Sequence, residues 1–224
     1  MLGTVLSASV RCGKVIISGV SNTTEDIYRE ISVVITGRTP LLMNRLNPET
    51  LKSRSRMRMA KYSTIEDAKN SAYMAEIEGR QQLYIPSQAI YSMLINSSKM
   101  FTTGRKSLAG ILAGTVRIEP EKIPLGTDHY EVDERPVVIK GQRILKGRAR
   151  IDQWKAAFKI VFDAKRLPEG IDETIENVLD DAGVRMGLLD FRPQHKGWFG
   201  TFRIEKFELQ ELDKPKNRRK EKPD

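Results

Sequence analysis

Arg29 to Arg38 reads REISVVITGR, with Ile31, Val33 and Ile35 on one side of an extended chain and Val34 on the other. That alternation predicts a strand buried mainly on one face, closed by Thr39-Pro40. Downstream, Leu83-Tyr84-Ile85 predicts a short strand. Pro86-Ser87 then opens a helix whose Ala89, Ile90, Met93, Leu94 and Ser97 share one stripe. Val116 with Ile118, and Pro136 to Lys140, predict two more strands. Lys155 to Asp163 alternates Phe158, Ile160 and Phe162 with Lys159 and Val161, again a strand. Ile171 to Ala182 predicts a helix with Ile171, Ile175, Val178, Leu179 and Ala182 inward and Gly183 as its stop. In Gly200 to Leu209, Phe202 and Ile204 share one parity and Phe207 and Leu209 the other, which predicts a last strand with a bulge or twist.

Stripped of insertions, the order is strand, helix, strands, strand, helix, strand. This is the split βαβ pattern of an α+β, ferredoxin-like (RRM-like) domain. One domain is expected over residues 1–213, with a helical insertion at about 44–80. Asn47-Pro48 there supplies an N-cap and a first-turn proline for a basic helix running to about Ala60. A second helix is expected from Ser63 or Thr64, with Glu66 as capping-box partner, to Glu78, where Gly79 stops it. Residues 1–28 hold a possible hairpin from Val10 to Val20 or pack on a neighbour. The tail from Lys214 to Asp224 lacks apolar anchors and is expected to be disordered.

The 224 residues are 39% hydrophobic and carry a formal net charge of +9. Such a chain can bury one sizeable core, and it favours a polyanionic partner. No apolar run approaches a membrane span, and the opening MLGTVLSASVRCGK is too short and weakly flanked for a signal peptide, so a cytoplasmic location is expected. The single Cys12 allows no internal disulfide and no cysteine zinc cluster, and neither metal nor cofactor is expected. The charge is segregated. Arg45 to Lys61 holds Arg45, Lys52, Arg54, Arg56, Arg58 and Lys61 against Glu49 alone, and Lys140 to Lys155 holds six basic residues against Asp152 alone.

Within the first basic segment Arg54 and Arg58 stand at i, i+4 with Arg56 on an adjoining face, a ridge that can follow phosphates. Its bland alternative is a solvated helix. In the second, Lys146, Arg148 and Arg150 share one strand face near Arg143 and can match a phosphate row, the alternative being an edge strand protected by charge. Gly183 to Gly200 reads GVRMGLLDFRPQHKGWFG. Its glycines let a backbone approach closely, Arg192, His195 and Lys196 can meet phosphate, and Trp198 or Phe199 can stack on a base or fill the core. No Walker loop, HExxH or paired-carboxylate motif is present, and His129 and His195 have no Ser or Cys nucleophile signature nearby.

Three segments in order resemble the RAMP superfamily of RNA-binding proteins, which includes the backbone subunits of CRISPR effector complexes. Thr36-Gly-Arg-Thr-Pro-Leu-Leu42 resembles the end of that family's first strand. Leu83-Tyr-Ile-Pro-Ser-Gln-Ala-Ile90 resembles its strand-to-helix entry, with Ser87 in place of the usual glycine. Gly187 to Phe202 resembles its glycine-rich loop, with fewer glycines. The pattern GL-D-RP followed by G-FG-F also resembles a family encoded in phages and prophages. The resemblance implies a thumb-like insertion after the first strand, homo-oligomerisation along a single strand, other effector-complex subunits as partners, and binding through the glycine-rich loop.

These readings converge on a non-enzymatic binder of single-stranded RNA or DNA. Its phosphate contacts are expected at Arg45, Arg54, Arg56, Arg58, Lys61, Arg143, Lys146, Arg148, Arg150, Arg192, His195 and Lys196, with Trp198 as the stacking ring and little reading of base identity. The rivals are a RAMP-type endoribonuclease using Asp190 or His195, and a phage structural or assembly protein.

Overall fold

Tyr28–Gly37 (β1) is the central strand of the computed structural model, which describes residues 28–46, 63–139 and 141–211. β1 is followed by a two-residue strand Leu41–Leu42 (β2), a helix Thr64–Ser71 (α1), and the hairpin Met74–Ile77 (β3) with Arg80–Pro86 (β4). Helix Ser87–Ser98 (α2) comes next. A small ladder of Thr102–Thr103 (β5) and Lys106–Ser107 (β6) leads to the short helix Leu108–Leu112 (α3), and then to Val116–Glu119 (β7) and Lys122–Pro124 (β8). The hairpin Glu131–Ile139 (β9) and Gln142–Ile151 (β10) precedes Lys155–Asp163 (β11), helix Ile171–Arg185 (α4) and Phe202–Glu211 (β12).

The main sheet runs β12-β1-β11-β7, antiparallel throughout. In terms of its own four strands the order is fourth, first, third, second, as the expected ferredoxin-like α+β fold requires. Ile31, Val33 and Ile35 of β1 and Phe158, Ile160 and Phe162 of β11 are almost wholly buried on one face. They pack with Ile90 and Leu94 of α2 and Ile175, Val178 and Leu179 of α4. Each such side chain stabilises the fold by about 1.5–3 kcal/mol relative to exposure. The parity change in the last strand is a register shift. Val34 pairs with Lys206 and Ile35 with Ile204, leaving Glu205 unmatched. Glu205 accepts instead from Thr36 Oγ1 (2.5 Å) and Lys155 Nζ (2.7 Å) on the opposite, open face.

Two helix boundaries differ from expectation. Ser63 caps α1 as predicted, accepting from Glu66 N at 3.4 Å, but the helix ends at Ser71 instead of Glu78. Met74–Ile77 pairs with β4 across a two-residue turn in which Glu78 and Gly79 both adopt positive φ (54° and 75°). That turn geometry matches strand twist, and the hairpin outcompetes the helix. Likewise α4 passes through Gly183 to Arg185. A Cβ at Gly183 would lie 2.6 Å from Phe202 O, so its glycine serves close helix-to-strand packing, and Gly187 (φ 66°) supplies the left-handed turn after the helix. The basic helix expected up to Ala60, the hairpin from Val10 and the C-terminal tail lie outside the described residues.

A second sheet, β2-β10-β9, stands beside the core. β10 is flanked by β9 along its length and by β2 only at Arg150 and Ile151, so over residues 142–148 no described strand pairs with its other side and it remains an edge there. α1 lies across β10: a Cβ at Gly147 would collide with the Thr64 carbonyl. Ser71 Oγ accepts from Ala149 N (2.9 Å) and donates to Ala68 O (2.7 Å).

Candidate nucleic-acid interface

The glycine-rich loop leaves α4 at Met186 and is fastened along its length to the segment that follows β1. Asp190 N donates to Leu42 O (3.0 Å) and Gly200 N to Pro40 O (2.8 Å), while Leu188 N closes the loop on its own Gly200 O (2.9 Å). Leu189, Phe191 and Lys196 hold positive φ (60°, 51° and 62°) although none is glycine. Each such residue costs of order 1 kcal/mol, and strained residues of this kind cluster at ligand clamps. Gly197 packs directly on the Phe191 carbonyl, which also accepts from Phe199 N (3.1 Å).

This backbone divides the labour between two neighbouring rings. Phe199 is fully buried, whereas Trp198 is 52% exposed and stacks on Phe199 with ring centres 4.3 Å apart. The Arg135 guanidinium of β9 sits over Phe199 at 4.7 Å and over the partly exposed Phe191 at 5.8 Å. Phe199 thus contacts both Trp198 and Arg135. Arg135 is itself oriented by Asp133 through Nε (2.6 Å) and Nη2 (3.1 Å), and those hydrogen bonds raise it further above its ordinary range against the effect of burial. The exposed Trp198 is therefore a flat surface on a rigid mount.

The predicted cations fare unequally. Arg148 Nε lies 2.7 Å from Asp190 Oδ2, tying β10 to the loop, although the N–H does not point along the contact and neither atom has a hydrogen bond. Arg150 pairs with Asp152 at 2.6 Å and approaches Asp133 at 3.9 Å. Arg148 and Arg150 of the row expected to meet phosphates are thus engaged by carboxylates, one brought by the distant loop and one two residues along the chain. Lys146 Nζ donates to Asn44 Oδ1 at 3.0 Å. Arg143 is exposed near the hairpin end at Gly141. Arg54, Arg56, Arg58 and Lys61 lie outside the described residues.

Arg192 is half-buried, with Nη1 donating to Leu189 O (2.6 Å) and Nε to Gln194 Oε1 (3.1 Å). Burial lowers its affinity for a proton, partly offset by Asp190, yet a guanidinium stays charged at any ordinary pH. His195 and Lys196 are exposed on a single 3-10 turn, Pro193–His195, and its left-handed exit. Arg45 is exposed just after β2, its N–H held by Ser71 O at 2.8 Å. Tyr73 joins this group: burial pushes its phenol up, Tyr84 and Asp190 add to the effect, and Arg45 opposes it. Sequence reasoning passed over Arg135, Phe191, Tyr73 and Asn44, since each acts through a partner distant in the chain.

No protein-family model matches the chain, and no curated protein matches it in sequence. Solved structures do match in fold. One is a chain in the cryo-EM structure of the Type III-B Cmr-beta bound to cognate target RNA, with TM-score 0.52 and 12% identity over 83% of this chain. This chain spans 61% of that chain's length. Another is a chain of a CRISPR RNA-guided surveillance complex, with TM-score 0.43 and 10% identity, covering 84% of this chain and 71% of that one.

Proposed function

We propose that the protein binds single-stranded nucleic acid, RNA in the first instance, across the glycine-rich loop. The observation that carries this is Trp198: a half-exposed indole stacked on buried Phe199, on a loop with three strained residues that also carries Arg192 and Lys196. An aromatic plane next to cations is the arrangement that stacks a base while meeting its phosphate. The fold shared with the chain solved with target RNA favours RNA over DNA.

The open face of the main sheet, the other surface on which such folds bind single strands, offers less. It carries the pairs Lys159–Glu30 (2.6 Å), Lys155–Glu205 (2.7 Å) and Arg117–Glu119 (2.9 Å), and Tyr28 lies under Arg117. Most of the charges there are paired with one another. The protein acts in this proposal as a binder and not a nuclease, with Asp190 serving to hold Arg148. Successive copies occupy a longer strand.

Fluorescence anisotropy of labelled single-stranded RNA, single-stranded DNA and duplex of one length, titrated at several salt concentrations, tests the proposal. Preferential binding to a single strand, weakened by salt, is expected. Equal binding to duplex and single strands, or none, would overturn it.

A further inference from the structure

Between the first turns of α2, the chain leaving β2 and the glycine-rich loop lies an open groove of about 400 Å³. That is near the lower end of the range for small-molecule sites and suits one small planar ligand. Ala89 and Met93 of α2 and Leu189 of the loop give it an apolar lining. Its polar groups carry hydrogen bonds that set what each can offer, Asn44 to a residue outside the groove and Gln88 to Ser92 within it. Asn44 Oδ1 accepts from Lys146 Nζ, which leaves the Asn44 amide NH₂ as the group to offer. Gln88 Nε2 donates to Ser92 Oγ at 3.4 Å, which leaves the Gln88 carbonyl oxygen to accept and the Ser92 hydroxyl to donate. Tyr73 also lines the groove and offers a phenol whose hold on its proton burial strengthens. At the wall stands Arg192, pinned by Leu189 O and Gln194, and the neighbouring Asp190 has Arg148 as its counter-ion.

An apolar slot edged by fixed donors and acceptors, with a cation at one end, matches the parts of one nucleotide. We propose that the groove takes a single nucleotide unit, its base against Ala89, Met93 and Leu189, its edge on Asn44 and Gln88, and its phosphate on Arg192. The inference rests on the glycine-rich loop as the binding surface and adds to it a preference for base identity. Fixed amides discriminate because the wrong base leaves a donor or acceptor unpaired.

The test uses the full chain in anisotropy titrations with labelled homopolymeric A, C and U strands of equal length, and in calorimetric titrations with the four nucleoside 5′-monophosphates. A spread of about tenfold in affinity among bases is expected. It should collapse in Gln88→Ala, an exposed position, and in Ser92→Phe, which fills the groove. Should Ser92→Phe fail to fold by circular dichroism, Gln88→Ala decides alone. Strand binding without base dependence, unchanged in Gln88→Ala, overturns the groove and leaves the strand-binding proposal standing. If no strand binds, that proposal fails and the monophosphates decide: base-selective binding lost in Gln88→Ala supports the groove, and no binding overturns it.

Discussion

Asp133 is only 8% exposed, and Arg135 is what makes its burial affordable. The same guanidinium carries Phe199, and through it Trp198. Truncating Arg135→Ala removes a cation–π contact and strands a buried carboxylate with Arg150 3.9 Å away, so unfolding stability should fall by about 2 kcal/mol in urea denaturation. Arg135→Lys keeps the charge but not the two-pronged hydrogen bonding, and should fall in between. Sequence reasoning identified Trp198 and Phe199 and left open which ring was core. It could not choose because adjacent residues in an irregular loop have no fixed parity. The choice is made by Phe191 O and Gly197, which turn the backbone so that Phe199 faces inward. Arg148 was legible as part of a row but not as paired, since its carboxylate comes from the distant Asp190, whereas the partner of Arg150, Asp152, stands two residues along the chain.

At the scale of elements, α2 and α4 are clasped by polar groups as well as by their apolar stripes. Ser97 Oγ donates to Asp181 Oδ2 at 2.9 Å, and Arg185 holds the same carboxylate through Nε (2.5 Å) and Nη2 (2.8 Å). Arg185 chiefly, with Ser97 adding and burial opposing, holds Asp181 below the usual carboxylate range. A depressed folded-state value means that the charged form stabilises the fold at neutral pH, and that this contribution is lost as pH falls through the folded value. The stability difference between the protein and Asp181→Asn should therefore be constant from neutral pH down to about pH 4 and shrink below it, as read by thermal unfolding across pH. Gly183→Ala should destabilise by about 1–3 kcal/mol in the same assay, because its Cβ would press on Phe202 O. The four main strands and two main helices were legible because one-sided burial prints a period of two or 3.6 on the sequence. The β3–β4 hairpin was not, because a Glu-Gly turn is a weaker signal than Asn-Gly and the segment before it shows no clear period.

Across the whole molecule, the strand order β12-β1-β11-β7 places the loop before β12 beside the chain that leaves β1 and against the β9–β10 hairpin. Segments far apart in sequence meet there as one surface. A net charge of +9, with much of the described basic surface already paired to acids, sets a modest electrostatic contribution. Roughly three or four phosphate contacts would give a log affinity against log salt slope of about −2 to −3 for a single strand. Anisotropy at a series of salt concentrations measures that slope, and one near zero would mean that cations play no part. If Trp198 is the stacking surface, the affinity of Trp198→Ala for single-stranded RNA reads it out. Its mount, Phe199 with Arg135, stays in place in this variant. Loss of one stacked base predicts a drop of about tenfold or more, in a variant shown by circular dichroism to be folded. An affinity equal to that of the unaltered protein would contradict the claim and remove the glycine-rich loop from the binding surface.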